Sequence, residues 1–183
     1  PPGYTVEYGG QFENQQRAMK RLAIIVPTVI VLVLAMLWMA FGVMRHAMII
    51  IANVPLALVG GILGLLATGA YLSVPASVGF IALFEIAVQN GMVLVTTFND
   101  LRARGKSVME SVTAGAELRL RPVLMTALTT VLGLLPLLLA RGIGADVQRP
   151  LATVVVFGLT TSTLLTLFVI PAVYVWIEER KTH

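Results

Sequence analysis

The chain has 183 residues, of which 57% are hydrophobic and only 12% charged, and its mean hydropathy of +0.89 excludes an ordinary soluble domain, where about a quarter of positions carry charge. The formal charge of +4 does not point to nucleic acid, because the basic residues flank apolar runs instead of gathering on one soluble face. The absence of cysteine excludes disulfides and thiolate metal sites and leaves the redox compartment open.

The chain begins Pro1-Pro2 with no Met, and Tyr4, Val6 and Tyr8 alternate with Thr5 and Glu7 as in a half-buried strand that Gly9-Gly10 stops. A lone strand needs partners that these residues lack, so 1–10 read as the end of a larger soluble domain and 11–21 as a polar helix leading into the first apolar run. Five runs, 22–42, 47–72, 75–98, 122–140 and 150–177, match or exceed the roughly 17 to 25 residues that cross about 30 Å of hydrocarbon. Hydrocarbon satisfies no backbone amide, and the runs are continuous where a membrane barrel would alternate, so they are helices. The predicted fold is all-α, a polytopic membrane bundle of five helices over 22–183. The first run is too long for the core of a secretory signal and follows mostly polar residues, so no cleaved leader is expected.

With the N-terminus outside, the inner segments hold Arg45, Arg102, Arg104, Lys106, Arg119, Arg121, Arg180 and Lys181, and the outer ones Arg17, Lys20, Arg21, Arg141 and Arg149. The excess of positive charge inside favours that orientation, although the cluster at 17–21 pulls the other way. The connection 99–121 is the one sizeable loop between spans. Gly105 breaks the chain there, and Ser107 with Glu110 has the spacing of a capping box, so a helix is predicted over 107–118. Val108, Met109, Val112 and Ala116 on one side would lay it along the membrane surface, and the plain alternative is a solvated connector.

Glu85 is the one charge inside the third run, and an ionised side chain in mid-membrane is costly, so it must face protein or water. Gln89 one turn on and Thr96 seven residues further share its helix face, with Asn90 beside them. This stripe is the candidate proton or ion path. The competing reading is a protonated Glu85 in an interhelical hydrogen bond, and the residues alone leave both open. Gly60 and Gly64, with Thr126, Thr130 and Gly133 at spacings of four and three, suit close helix packing, as do the hydroxyls at 160–163 and Thr166. Pro55 and Pro136 are expected to kink their helices.

No metal site is expected within the chain. His46, placed in a short loop, and His183 belong to no ligand cluster, and the methionine pairs Met36/Met39 and Met44/Met48 read as packing. No nucleophile with a base, phosphate loop or paired carboxylates occurs, so an enzyme and a cofactor are not expected.

Four segments carry a family resemblance: GGQFENQQRA at 9–18, SVPASVGFIALF at 73–84 followed by AVQNGMVLV at 87–95, RLRPVLMTAL at 119–128, and GADVQRPLATVVV at 144–156. Together and in this order they resemble the C-terminal membrane half of resistance-nodulation-division transporters, in the heavy-metal efflux branch. The resemblance implies spans eight to twelve of twelve, preceded at 1–21 by the end of a periplasmic porter domain and its linker helix. It further implies a homotrimer in the inner membrane of a Gram-negative bacterium, with the N-terminus periplasmic, the C-terminus cytoplasmic, and a periplasmic adaptor and outer-membrane channel as partners. The activity implied is export of metal cations in exchange for protons.

Matched onto the family's relay region, Gln89 takes the place of a Lys in multidrug members and of a Glu in copper and silver exporters, Asn90 matches an Asn, and Arg119 and Thr126 match an Arg and a Thr. A neutral Gln89 carries no proton, and Glu85 stands where a small residue is usual, as a displaced acid or as a substitution in packing. The lack of Glu at 89 inclines the expected cargo to zinc, cobalt, cadmium and nickel. The alternative function is a truncated or split membrane piece that packs and moves nothing alone.

Overall fold

The structure, a computed structural model, describes residues 11–142 and 144–179, with side chains described over 16–142 and 144–178. Five helices follow one another: α1 Gln11–Phe41, α2 Met44–Thr68, α3 Val74–Ala103, α4 Val108–Leu138 and α5 Ala145–Glu179. Each is long and apolar enough to cross a membrane, and no strand occurs among the described residues. The strand expected over 4–8, Arg180, Lys181 and His183 lie outside the described residues.

Local chemistry explains where the helices stop. Gly69 closes α2 in the left-handed conformation, φ 66°, with its N–H on the last carbonyls. Ser73 caps α3 ahead of Pro75, and Ser107 and Glu110 cap α4 reciprocally, the Ser107 hydroxyl taking the Glu110 N–H and the Glu110 carboxylate taking the Ser107 N–H.

One element differs from expectation, while the polar helix over 11–21 leads without a break into the first span as α1. The surface helix expected over 107–118 and the fourth span also form a single 31-residue helix, α4, which runs on through Pro122. A break there would leave several backbone groups unsatisfied at the membrane edge, a greater cost than the one N–H that proline removes. The first turns of α4 also pack on protein: Ser111, Val112 and Gly115 are buried, and a Cβ built at Gly115 would fall 2.6 Å from the Phe98 ring on α3.

The core lies where α2, α3 and α4 surround α5. The helices approach closely because glycine leaves room. A Cβ at Gly60 would fall 2.5 Å from Cβ of Thr161, one at Gly64 2.5 Å from Cβ of Phe157, and one at Gly158 would overlap the buried Leu83. Gly133 differs from its expected packing role: nothing among the described residues lies within 4 Å of a Cβ built there. Asn53, 1% exposed, ties three helices by donating from Nδ2 to Thr166 Oγ1 on α5 at 2.6 Å and to the Ala87 carbonyl on α3 at 3.3 Å. By contrast α1 is peripheral, with only 6% of its most apolar stretch buried against 50% in α2 and α5.

Candidate functional site

The two faces of α3 have opposite surroundings. Leu83, Ala87, Leu94, Val95 and Phe98 are buried in the core. Val78, Ile81, Glu85, Gln89, Met92 and Thr96, stepping by three or four residues, form one exposed stripe on the other side. Glu85 makes no hydrogen bond or ion pair among the described residues. A carboxylate therefore sits partway along an apolar helix, exposed and without a partner among the described residues.

Asn90 is half-buried beside this stripe. The α3–α4 pair is an antiparallel hairpin, across which Arg119 donates from Nε to Thr97 Oγ1 at 2.8 Å. Thr97 in turn gives its hydroxyl proton to the Val93 carbonyl, 2.8 Å away, so its oxygen is free to accept the guanidinium. Seven residues along each helix, roughly 10 Å, bring Thr126 to the level of Asn90. Thr126 is exposed and donates to the Pro122 carbonyl, 3.0 Å away on its own helix.

The five candidate relay residues thus share one region without closing into a site. Thr97, which holds Arg119, lies twelve residues from Glu85 on the same helix, about 18 Å, too far for the two charges to pair. The arrangement offers one acid, two amides, a hydroxyl and a cation along the flank of an α3–α4 hairpin.

A second polar cluster closes the end of the bundle where α2 begins and α3 and α5 finish. Glu178 is 2% exposed and is bound by the Arg102 guanidinium, with Arg45 Nε 3.6 Å and His46 Nε2 3.5 Å from its other oxygen. Tyr174, one turn earlier on α5, donates its hydroxyl to Asn99 Oδ1 at 2.6 Å and stacks on His46 at 5.9 Å between ring centroids. His46 is buried in the first turn of α2, which corrects its expected place in a loop: the helix begins at Met44, ahead of it. Two guanidinium groups around one carboxylate make this an ion-pair lock and a poor cation site.

The sequence reading missed this cluster. Glu178 is the first residue past the apolar run, where a charge looks like an ordinary flank, and only the pairing of Tyr174 with Glu178 at i, i+4 hinted at a shared face.

The model of the AcrB/AcrD/AcrF family matches residues 1–178. The chain belongs to this family. Within it the chain falls in the heavy-metal efflux branch of the resistance-nodulation-division transporters and is a multi-pass membrane protein. The nickel and cobalt resistance protein CnrA of Cupriavidus metallidurans is 49% identical over 182 residues, which cover 100% of this chain and 17% of that protein. The cobalt-zinc-cadmium resistance protein CzcA of the same organism is 47% identical over 174 residues, covering 95% of this chain and 16% of CzcA. A crystal structure of a heavy metal efflux pump, 49% identical, superposes with a TM-score of 0.81 over 98% of this chain and 18% of the pump. The family member described here therefore spans about a sixth of the length of such relatives.

Proposed function

We propose that this chain is the C-terminal transmembrane part of a proton-driven heavy-metal exporter of the zinc, cobalt, cadmium and nickel class. The observation that carries the reading is the outward-facing Glu85 on α3, with Gln89 and Thr96 below it. An acid on the apolar face of a helix needs a protein or water partner, and none of the described residues supplies one. The partner comes from the remainder of a longer protein, as expected for a chain that spans about a sixth of the length of its relatives. Glu85 loads and releases the proton, Gln89 and Asn90 supply neutral amide groups one turn along the same helix, and Arg119 with Thr126 supplies the charge and hydroxyl on the neighbouring helix. The protein sits in the inner membrane of a Gram-negative bacterium as a homotrimer, N-terminus periplasmic and C-terminus cytoplasmic, joined to an adaptor and an outer-membrane channel.

The names of CnrA and CzcA support nickel, cobalt, zinc and cadmium as cargo, as does the neutral residue at position 89. The test is metal export by the full-length transporter in proteoliposomes with an imposed pH gradient, comparing the native protein with Glu85→Gln and Glu85→Asp. Glu85→Gln is expected to flatten the pH dependence of export and Glu85→Asp to retain it. Equal pH profiles for all three would remove Glu85 from the relay.

A further inference from the structure

The cluster around Glu178 holds His46, the one histidine among the described residues, and its hydrogen bonds run in a single direction. Tyr174 donates its hydroxyl proton to Asn99 Oδ1 at 2.6 Å, which turns the amide so that Nδ2 faces His46 and donates to the ring Nδ1 at 3.5 Å. Nδ1 is therefore the accepting nitrogen, and Nε2, 3.5 Å from Glu178 Oε1, carries the proton. His46 is 8% exposed, its ring stacked on Tyr174 and met edge-on by Phe41, the last residue of α1, at 6.0 Å between centroids. One neutral imidazole thus links its own α2 to α1 through Phe41, to α3 through Asn99, and to α5 through Tyr174 and Glu178.

A second proton on His46 breaks this order. Imidazolium presents a donor at both nitrogens, so an N–H at Nδ1 would face the Asn99 amide nitrogen, donor against donor. Turning the amide over would mend that contact but bring its NH2 to the Tyr174 hydroxyl, whose oxygen already takes the Arg102 guanidinium and whose proton would lose Oδ1. Charge adds to this. Burial opposes a cation at His46, the Glu178 carboxylate favours one, and the Arg45 and Arg102 guanidinium groups oppose it again. Phe41 and Tyr174 cover the ring without charge near neutral pH. The neutral ring is the form that fits.

We propose that His46 is a proton sensor at this end of the bundle: neutral, it ties the α1–α2 corner to the ends of α3 and α5, and protonated, it lets go of them and turns to water. The corner can move because α1 is otherwise little buried and Gly42, at φ 64°, makes the bend between Phe41 and α2. The sign follows from linkage. An opened His46 takes up a proton near the ordinary imidazole value of about 6.5 and the closed one takes up none, so the closed form holds above that pH and is lost below it. From about pH 7.5 to about 5.5 the open fraction is expected to rise about tenfold, while carboxylate and guanidinium groups ordinarily keep their charge. In the orientation proposed above this end meets the cytoplasm, and the sensor itself does not depend on that orientation.

The experiment follows backbone hydrogen–deuterium exchange in peptides covering 41–52 of the purified full-length transporter, at about pH 7.5 and about pH 5.5, with intrinsic exchange rates divided out. In the native protein the opening of this segment should rise about tenfold at the lower pH. His46→Gln, whose amide can accept from Asn99 and donate to Glu178 but does not titrate, should open equally at both. Asn99→Asp turns an acceptor toward His46, so its segment should be better protected at acid pH, a reversal that mere loss of packing would not give. Unchanged or reduced opening of the native protein at acid pH overturns the sensor, and so does an acid-induced opening that His46→Gln retains. Should His46→Gln open the segment at both pH values, Asn99→Asp decides, and a native-like opening at acid pH in that variant also overturns it. Exchange is read without transport, so the result stands apart from the fate of the proton-relay reading.

Discussion

Substituting Glu178 by Gln tests whether the cluster at the end of α5 is a lock. Breaking a buried ion pair by removing one partner costs about 3 to 5 kcal/mol when the remaining charge is fully buried. Here the side chains left behind are Arg102 and Arg45, which are 37% and 32% exposed, so water compensates part of the loss. The glutamine keeps the shape and one hydrogen bond to Arg102, and the expected cost falls to about 2 kcal/mol. Thermal unfolding of the detergent-solubilised full-length protein reads it as a lowered midpoint. The coupling is then isolated with Arg102→Met alone and combined with Glu178→Gln: residues in direct contact should couple by about 0.5 to 3 kcal/mol, so the double variant should lose less than the two singles together. Additive losses would mean that the two side chains do not support each other and that the end of the bundle is held by apolar packing alone.

Gly158→Ala should cost about 1 to 3 kcal/mol, because its Cβ would overlap Leu83, which is 0% exposed and has nowhere to move. Gly133→Ala is the control: with open space around it, alanine should leave the melting midpoint unchanged or raise it, by up to about 1 kcal/mol of helix propensity. Thr97→Val removes the oxygen that accepts from Arg119 Nε while keeping side-chain shape, and in proteoliposomes it should lower pH-driven metal export several-fold with little change in thermal midpoint. Export at the native rate would separate the position of Arg119 from the transport step.

The fold was legible because lipid leaves few choices. Once a run of twenty apolar residues is found, the backbone must be helical, and caps such as Ser107 with Glu110 could be read from spacing alone. Helix continuity was less legible: Pro122 looked like a boundary, and only the cost of breaking a chain at the membrane edge explains why α4 runs through it. The spacing of Gly60 and Gly64 and that of Thr126, Thr130 and Gly133 were equally good packing patterns on paper. The structure places α5 against the first and nothing among the described residues against Gly133, because a small-residue pattern marks a possible contact and carries no information about which helix arrives. The lock around Glu178 joins residues 45, 102 and 178, and local periodicity cannot connect positions so far apart in sequence.

The two acids of the bundle show how burial must be read in such a chain. Glu178 is buried, charged and surrounded by cations, the usual marks of a functional carboxylate, yet its partners all come from this chain and fix three helix ends together. Glu85 is exposed and without partners among the described residues, which in water would make it ordinary. On an apolar helix face the same exposure is an unmet electrostatic demand, because hydrocarbon cannot solvate the charge. Asn53 of α2 and Gly158 of α5 meet α3 at Ala87 and Leu83, on its buried face. The acid that is satisfied therefore ties three helix ends together, and the acid without a partner among the described residues is the one on which the proposed relay rests.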